Sequence, residues 1–477
     1  PNNNIISTRW VYKVKADGRF KARLVVQGWA QRHGFDCGST FAPVCRLESQ
    51  RILLVIATAK TWSIIALDVQ TAFLNGKLQE TVFYKQPPGF ETTDPTTGQP
   101  HVMLLRRALY GLRQSPNVWN ATVDSELRRI GFTTTASDPC VYTRGHDDKY
   151  VMLTLFVDDI LLTGPSIKLL QDVQDKLKKE FSISELGPVS LILGMEITRD
   201  TEQGTLKLSQ HKYILSLLQK FKMESCNSVH TPGIINNTLP ASEEHLLLDL
   251  QGMKQYQAMV GSLIFLSQCT RFDIAFRVTQ VARYMSKPTT EHMADAKRIF
   301  HYLKGTSDLP IVYRSSRNKL ELKGFADSSY GNEGLGGKMR STSGTMFFLA
   351  NGLIHFSSSL QRITVSSTTE AEVIALARGG KFGTYLFNLL RELGWSLRPP
   401  TIFSDSQGAL HLSSNAKYSN KSKHLAIRFY SLKDLIKNDQ LIVNHVRISR
   451  QVADILAKYC EKATHRRLLS AVADFGK

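Results

Sequence analysis

The sequence predicts a multidomain protein of mixed α/β and α+β class, and three observations point there. Its 477 residues, at about 150 per domain, suggest roughly three packing units. Segments with strand period and segments with helix period follow one another along the whole chain. Past residue 318, a run of strands gives way to alternating helix and strand, the pattern of a small α/β domain. Hydrophobic residues make up 42% and charged residues 21%, which supports sizeable cores and excludes wholesale disorder.

Taken in order, residues 10–27 alternate in a strand-like way around a turn at Ala16-Asp17-Gly18. Residues 51–61 predict a helix, and 64–67 a buried strand ending at Asp68. Residues 91–100 form a polar loop rich in Thr, Pro and Gly. Residues 116–131 place Trp119, Val123, Leu127 and Ile130 on one helical face. Residues 150–164 are two apolar strands around Asp158-Asp159, and 166–181 and 210–221 are amphipathic helices. Residues 231–252, with Pro232, Asn236-Asn237 and Pro240, resemble a linker; 256–305 are mostly helical. A second break falls near Ser315-Ser316-Arg317-Asn318. Strands follow at 320–326, 345–349 and 353–357, then a helix from Thr369, a strand at 401–404 and more helix. The breaks divide the chain into 1–232, 233–318 and 319–477.

The balance of 60 Lys+Arg against 41 Asp+Glu gives a net charge of +19. Such an excess attracts polyanions, with nucleic acid the commonest partner of a large basic enzyme. A membrane surface is not expected, because no basic amphipathic helix or lipidation signal accompanies the charge. The apolar runs are cut by charge well short of a membrane span: 52–59 lies between Arg51 and Lys60, and 151–162 contains two Asp. The six Cys are scattered with no C-x-x-C pair, so neither a zinc cluster nor a disulfide framework is expected and a reduced, intracellular compartment fits. The chain opens with Pro1, shows no signal-peptide pattern and enters structure at Arg9-Trp10-Val11-Tyr12. It is expected to be a piece of a longer chain.

Leu155-Phe156-Val157-Asp158-Asp159-Ile160-Leu161-Leu162 sets two adjacent acids inside an apolar run. Ionised carboxylates there are costly unless hydrogen-bonded, paired or on a metal. An exposed Asp-Asp hairpin turn would explain the pair alone, but Asp68 also ends a buried strand, Ile64-Ile65-Ala66-Leu67. If strand and hairpin share a sheet, Asp68, Asp158 and Asp159 converge. Three oxygen ligands that leave coordination positions open suit Mg²⁺ together with substrate phosphates.

Ala66-Leu67-Asp68-Val69-Gln70-Thr71-Ala72-Phe73-Leu74-Asn75-Gly76 resembles motif A of copia-type retrotransposon reverse transcriptases. Arg107-Ala108-Leu109-Tyr110-Gly111-Leu112-Arg113-Gln114-Ser115-Pro116 is similar to their motif B, and Phe156-Val157-Asp158-Asp159 to their motif C. Lys21-Ala22-Arg23-Leu24-Val25-Val26-Gln27-Gly28 resembles their fingers segment, and the likeness continues through Thr270-Arg271-Phe272-Asp273-Ile274 and Tyr302-Leu303-Lys304-Gly305-Thr306. The resemblance implies a right-hand polymerase with fingers, palm and thumb. In it, Asp68, Asp158 and Asp159 hold catalytic metals, and Phe73 is the gate against a ribose 2′-hydroxyl. Tyr110 and Gly111 shape the nucleotide pocket, and Lys21 and Arg23 contact the triphosphate. Gln114 is expected to cap the helix opening at Pro116 rather than to face the template.

Five more acids follow, at four places in the chain. Phe325-Ala326-Asp327 and Ile402-Phe403-Ser404-Asp405 end strands; Glu370 and Glu372 open a helix; Asp454 sits in an apolar helix, Gln451-Val452-Ala453-Asp454-Ile455-Leu456. Singly, a helix-end charge or an N-cap explains each. Together, in this order, Asp327, Glu372, Asp405 and Asp454 resemble the two-metal carboxylate set of ribonuclease H. Arg340-Ser341-Thr342-Ser343-Gly344 and Lys423-His424-Leu425 are similar to the copia-type version. Ser329 stands where that family commonly has a further Asp, and no His directly precedes Asp454, although His445 is near in sequence. Glu370 and Glu372 are two apart on a helix and point roughly 200° from each other. Glu372, followed by Val373-Ile374-Ala375, is expected to face the metals, and Glu370 to be a first-turn charge.

The resemblance therefore implies three parts: 1–232, reverse transcriptase fingers, palm and start of thumb; 233–318, linker and helical thumb or connection; 319–477, a ribonuclease H-like α/β domain. It implies an RNA-directed DNA polymerase, also DNA-templated, that cleaves RNA in RNA–DNA hybrids, or a degenerate relic that only binds nucleic acid. The cofactor would be Mg²⁺, two ions per active site, with Mn²⁺ as a substitute. The partners would be RNA template, DNA primer, RNA–DNA hybrid, deoxynucleoside triphosphates and sister polyprotein products (integrase, protease, capsid). The expected location is a cytoplasmic virus-like particle, with the nucleus as a second place. Arg128, Arg129, Lys176, Lys178, Lys179, Arg298 and Lys304 are candidates for tracking phosphates, though a solvated helix face explains each.

Overall fold

The computed structural model describes residues 4–14, 18–234, 244–315, 320–335, 338–395, 397–415 and 423–475. The linker core at 235–243 and the break at 316–319 lie outside the described residues, as do the side chains of Lys423-His424-Leu425. The chain forms two compact units: Pro1–Gln50 with Ser63–Val189, and Arg51–Trp62 with Ser190–Lys477. Among the described residues, no helix is long and apolar enough to cross a membrane.

The first unit is built on a six-stranded antiparallel sheet. Its strands run Ile183–Pro188, Ser63–Val69, Asp159–Gly164, Val151–Phe156, Val141–Arg144 and Thr133–Thr134. The central strands are nearly continuous apolar runs, the pattern of strands covered on both faces. Ile167–Glu180 packs on the Asp159–Gly164 and Ser63–Val69 strands. Ser115–Arg129 buries Trp119, Val123 and Leu127, the stripe its period predicts. Ile130 falls instead on the C-cap. A hairpin, Thr8–Val14 with Phe20–Val26, and a three-stranded sheet of Ile5–Ile6, Lys77–Lys85 and Val102–Arg107 complete this unit.

In the second unit, His211–Lys220, Leu250–Cys269, Ala275–Val281 and Thr290–Gly305 enclose one core that includes Leu217, Tyr256, Leu263, Val278, Phe300 and Leu303. Asp249 caps the second of these by accepting from Gly252 N at 2.7 Å. The stretch expected to be mostly helical is thus three helices, broken where Arg271 and Asp273 turn inward as a fully buried ion pair of 2.7 Å. The strands Leu191–Ile192, Met195–Asp200, Thr205–Ser209 and Ile311–Arg314 form an antiparallel sheet that the sequence did not announce.

A five-stranded sheet runs Gly352–Leu360, Lys338–Leu349, Leu322–Leu335, Thr401–Ser404, Ile442–His445. The first two pairings are antiparallel and the last two parallel. Counted along the chain this is the order 3-2-1-4-5. Thr368–Glu392 lies against this sheet. At Gly383 a β-carbon would come within 3.1 Å of Phe347, so the missing side chain sets how closely the helix seats.

His465 adds a pH dependence to this unit. It is buried, stacks edge-on with Tyr302 at 5.4 Å, and has a pKa below its ordinary value because burial disfavours the charged ring. The unfolded chain then binds more protons than the folded one once pH drops below about 6.5, so stability falls with falling pH in that window. The melting temperature of the parent should drop between pH 6.5 and 5.5 more steeply than that of His465→Phe. The slope difference should be at most about 1.4 kcal/mol per pH unit. Parallel melting curves against pH would remove His465 as the cause.

Candidate active sites: two carboxylate clusters

In the first unit, Asp68 and Asp159 are direct register partners on neighbouring antiparallel strands. Asp158 sits in the turn between Val151–Phe156 and Asp159–Gly164. The turn is held by its main chain: Val69 N donates to Asp158 O at 2.9 Å, and Trp119 Nε1 donates to Val157 O at 2.6 Å. Val157 has φ +58°, an unfavourable value for a β-branched residue. The surrounding bonds fix the strained turn, and with it the place of both acids. Asp159 has its pKa pushed up to about 6, first by burial and then by the charges of Asp158 and Asp68. Strand register thus brings Asp68 and Asp159 side by side with Asp158 in the adjoining turn, but these three are not among the described acids whose carboxylate oxygens all lie within 4.8 Å of one another.

Of the other expected pocket residues, Phe73, Tyr110, Gly111 and Arg23 lie together. Phe73, in the turn Ala72–Asn75, packs edge-on against Tyr110 at 4.9 Å. The Arg23 guanidinium lies over the Tyr110 ring at 5.1 Å, and Val26 N donates to Tyr110 O at 2.8 Å. Gly111 has φ +97°, and a β-carbon there would stand 2.0 Å from Val26 O, so only glycine permits this approach. Lys21, two residues before Arg23 on the Phe20–Val26 strand, shares its face.

Gln114 corrects an expectation. It occupies the N-cap of the Ser115–Arg129 helix, where its carbonyl accepts from Val118 N at 2.9 Å, but its side chain makes no cap hydrogen bond. Its buried amide accepts from Gln31 Nε2 at 2.9 Å and donates to Asp36 O at 3.0 Å. A buried amide must find its own partners, and the loop beside it supplies them.

In the second unit, the site follows from two parallel strands. Phe325 and Phe403 are register partners, so Asp327 and Asp405, each two residues further on, leave neighbouring strands at the same level. Asp454 completes the group: Asp327, Asp405 and Asp454 each offer a carboxylate oxygen within 4.8 Å of the others. Asp454 opens a four-residue turn, Asp454–Ala457, rather than the longer apolar helix expected. Gly344 lets that turn reach the sheet, since a β-carbon there would stand 2.7 Å from Ala453 O and 2.9 Å from Leu456 Cβ. Gln451, fully buried, donates to Ala326 O at 3.0 Å and ties the turn to the strand carrying Asp327.

Glu372 and Glu370 separate as their spacing requires. Glu372 is buried; its Oε1 accepts from Ser328 N at 3.1 Å, and its Oε2 accepts no hydrogen bond among the described residues. Glu370 turns back instead, its carboxylate accepting from Ser366 N and Ser366 Oγ, both at 2.8 Å, while Glu370 N donates to Ser367 Oγ at 3.2 Å. Ser367 is thus the N-cap, and the Glu370 carboxylate ties the preceding Ser366 to the first turn of the helix.

Crowding leaves its mark on the acids. Asp327 has its pKa raised well above the usual range, by burial and then by Glu372. Glu372 is pushed up to about 7 by burial and Asp405, and Asp454 is raised by burial. One neighbour went unremarked in the sequence. Lys458 Nζ stands 2.8 Å from Asp454 Oδ1 and 3.5 Å from Asp327 Oδ2. Burial works against its charge, but Asp327 and Asp454 outweigh that and raise its pKa. Its only sequence signal is the i,i+4 spacing from Asp454. His445 ends the Ile442–His445 strand beside Ser404 and is exposed. Of the phosphate-tracking candidates, Arg128, Arg129 and Lys176 pair with Asp124, Glu126 and Asp172 along their own helices.

Residues 1–235 match the family described as reverse transcriptase (RNA-dependent DNA polymerase). The chain is 35% identical over 463 residues to the Retrovirus-related Pol polyprotein from transposon TNT 1-94 of Nicotiana tabacum, covering 95% of this chain and 34% of that one. It is 31% identical over 309 residues to the Putative transposon Ty5-1 protein YCL074W of Saccharomyces cerevisiae, covering 65% of this chain and 97% of that one. Among solved structures, the foamy viral protease-reverse transcriptase in complex with RNA/DNA hybrid aligns over 94% of this chain and 51% of that one, at 13% identity and a TM-score of 0.48. The chain spans about a third of the length of the plant polyproteins it matches. By its family match and by relatives alike over nearly all of its length, the chain belongs to the reverse transcriptase family of copia-type retrotransposon Pol polyproteins.

Proposed function

We propose that the chain copies RNA, and also DNA, into DNA and cleaves the RNA of the resulting hybrid. The observation that carries this is a pair of separate groups of carboxylates, each with two members set side by side by strand register. Asp68 lies opposite Asp159 with Asp158 at the turn, and Asp327 lies level with Asp405 within 4.8 Å of Asp454. Acids crowded to this degree repel one another and would repel a phosphate backbone, which argues for divalent cations between them. The residues fit such ions: the donors are hard oxygens, and Glu372 Oε2 is buried with no hydrogen bond among the described residues. Bound there, Mg²⁺ or Mn²⁺ would activate the attacking oxygen and steady the leaving group.

Asp68, Asp158 and Asp159 would hold the ions for polymerisation; Asp327, Glu372, Asp405 and Asp454 would hold those for RNA cleavage. Lys21 and Arg23 would meet the triphosphate of the incoming deoxynucleotide, beside the wall made by Phe73, Tyr110 and Gly111. The division into 1–232 for polymerisation, 233–318 for connection and 319–477 for cleavage belongs to this proposal. A net charge of +19 supports contact with template, primer and hybrid through their phosphates, independent of sequence. The direct test is primer extension on an RNA template, with cleavage of a preformed hybrid read separately. Neither activity from folded protein would leave a degenerate relic.

Phe73 can be tested apart from the metals. Phe73→Val removes the aromatic edge from Tyr110 and should raise ribonucleotide use relative to deoxyribonucleotide by on the order of tenfold or more, since a steric clash is exchanged for open space. Competing-nucleotide kinetics with unchanged discrimination would assign the gate elsewhere.

A further inference from the structure

Lys458 is the residue for which neither proposed reaction has a task. It follows the Asp454–Ala457 turn as its C-cap, and its backbone N–H donates to Asp454 O at 3.0 Å. That bond aims the side chain back along the turn. Its Nζ lies 2.8 Å from Asp454 Oδ1 and 3.5 Å from Asp327 Oδ2, two of the three acids that sit within 4.8 Å of one another. Asp327 is 1% and Asp454 5% exposed, while the Lys458 side chain keeps 35% of its surface. The lysine therefore joins a partly exposed stem to an ammonium that contacts two buried acids. The fourth acid, Glu372, has an Oε2 with no hydrogen bond among the described residues and takes no part in the lysine's ion pairs.

We propose that Lys458 is a built-in counter-cation of the nuclease cluster, which holds the acids together before metal binds and is displaced when a divalent ion enters. The proposal rests on the nuclease reading of the cluster. Its physical basis is simple. Carboxylates this close cannot all stay charged without a cation among them. An ammonium on a flexible four-carbon stem satisfies them, yet can swing out to water with little strain. It also competes: an ion that enters must displace a charge already paired, so Lys458 weakens metal binding while it stabilises the metal-free fold. The cluster is then kept from trapping ions tightly, and from springing apart when it has none.

The test uses the full chain in an Asp158→Asn background, which weakens the polymerase-side cluster, and Mn²⁺ as the probe. Lys458→Met keeps the stem and removes the charge; Lys458→Arg keeps the charge. Binding is followed by the electron paramagnetic resonance of free Mn²⁺, and stability by melting in chelator. Lys458→Met should bind Mn²⁺ on the order of tenfold tighter or more, the effect of removing one adjacent like charge. It should also melt lower in chelator, with the deficit closing as Mn²⁺ is added. Lys458→Arg should stay near the parent in both. Equal Mn²⁺ binding by the parent and by a further Asp405→Asn variant would remove the metal reading of the cluster, and this proposal with it. Binding that depends on Asp405 but not on Lys458, with unchanged melting in chelator, would overturn the role of Lys458 alone.

Discussion

Asp158→Asn is expected to lower primer extension on an RNA template by at least about 10²–10³-fold, the scale of removing one electrostatic stabiliser from a reacting centre. The substitution keeps the shape of the side chain. The turn does not depend on it, because Val69 N and Trp119 Nε1 hold the main chain of Asp158 and Val157. The lost quantity is one negative charge beside Asp159, whose pKa is raised first by burial and then by the charges of Asp158 and Asp68. Removing that charge eases the repulsion, so the folded protein should be no less stable while activity collapses. Cleavage of a preformed hybrid should persist, since Asp158 and the nuclease acids belong to different compact units. Extension within a few-fold of the parent would take Asp158 out of the polymerase site.

The second large effect is the mirror image. Asp405→Asn and Glu372→Gln should each abolish hybrid cleavage and leave extension largely intact. Asp405 is the partly exposed member of its triad, so its loss should disturb folding least. Glu372→Gln leaves an amide oxygen to accept from Ser328 N, as Oε1 does in the parent. Glu370→Gln is the control. It weakens the bonds from Ser366 at the helix start and should cost at most about 1 kcal/mol of stability with cleavage retained. An inactive Glu370→Gln beside an active Glu372→Gln would exchange their roles.

Much of this protein is legible in the chain alone, and for a physical reason. Acids at the ends of apolar strands are costly, so Asp68, Asp158-Asp159, Asp327 and Asp405 stand out wherever an apolar run meets a carboxylate. Period distinguishes helix from strand over long segments, which is why Ser115–Arg129 and Ile167–Glu180 fall where their patterns put them. The opposite pointing of Glu370 and Glu372 follows from helix geometry once the helix is placed. Other features were fixed by partners far away in sequence, where local pattern carries no signal. Thr205–Ser209 is held as a strand between Met195–Asp200 and Ile311–Arg314, the latter about a hundred residues on. Gln114 looks like a helix cap until Gln31 and the Asp36 carbonyl take its amide. Glycine at 344 has no local cause; the turn carrying Asp454 supplies it by pressing against the strand. Lys458 reads as an ordinary surface lysine until two parallel strands and one turn bring three carboxylates together beside it. Residue type and local period belong to a residue and its neighbours; register, close approach and the company a charge keeps are set only when distant segments meet.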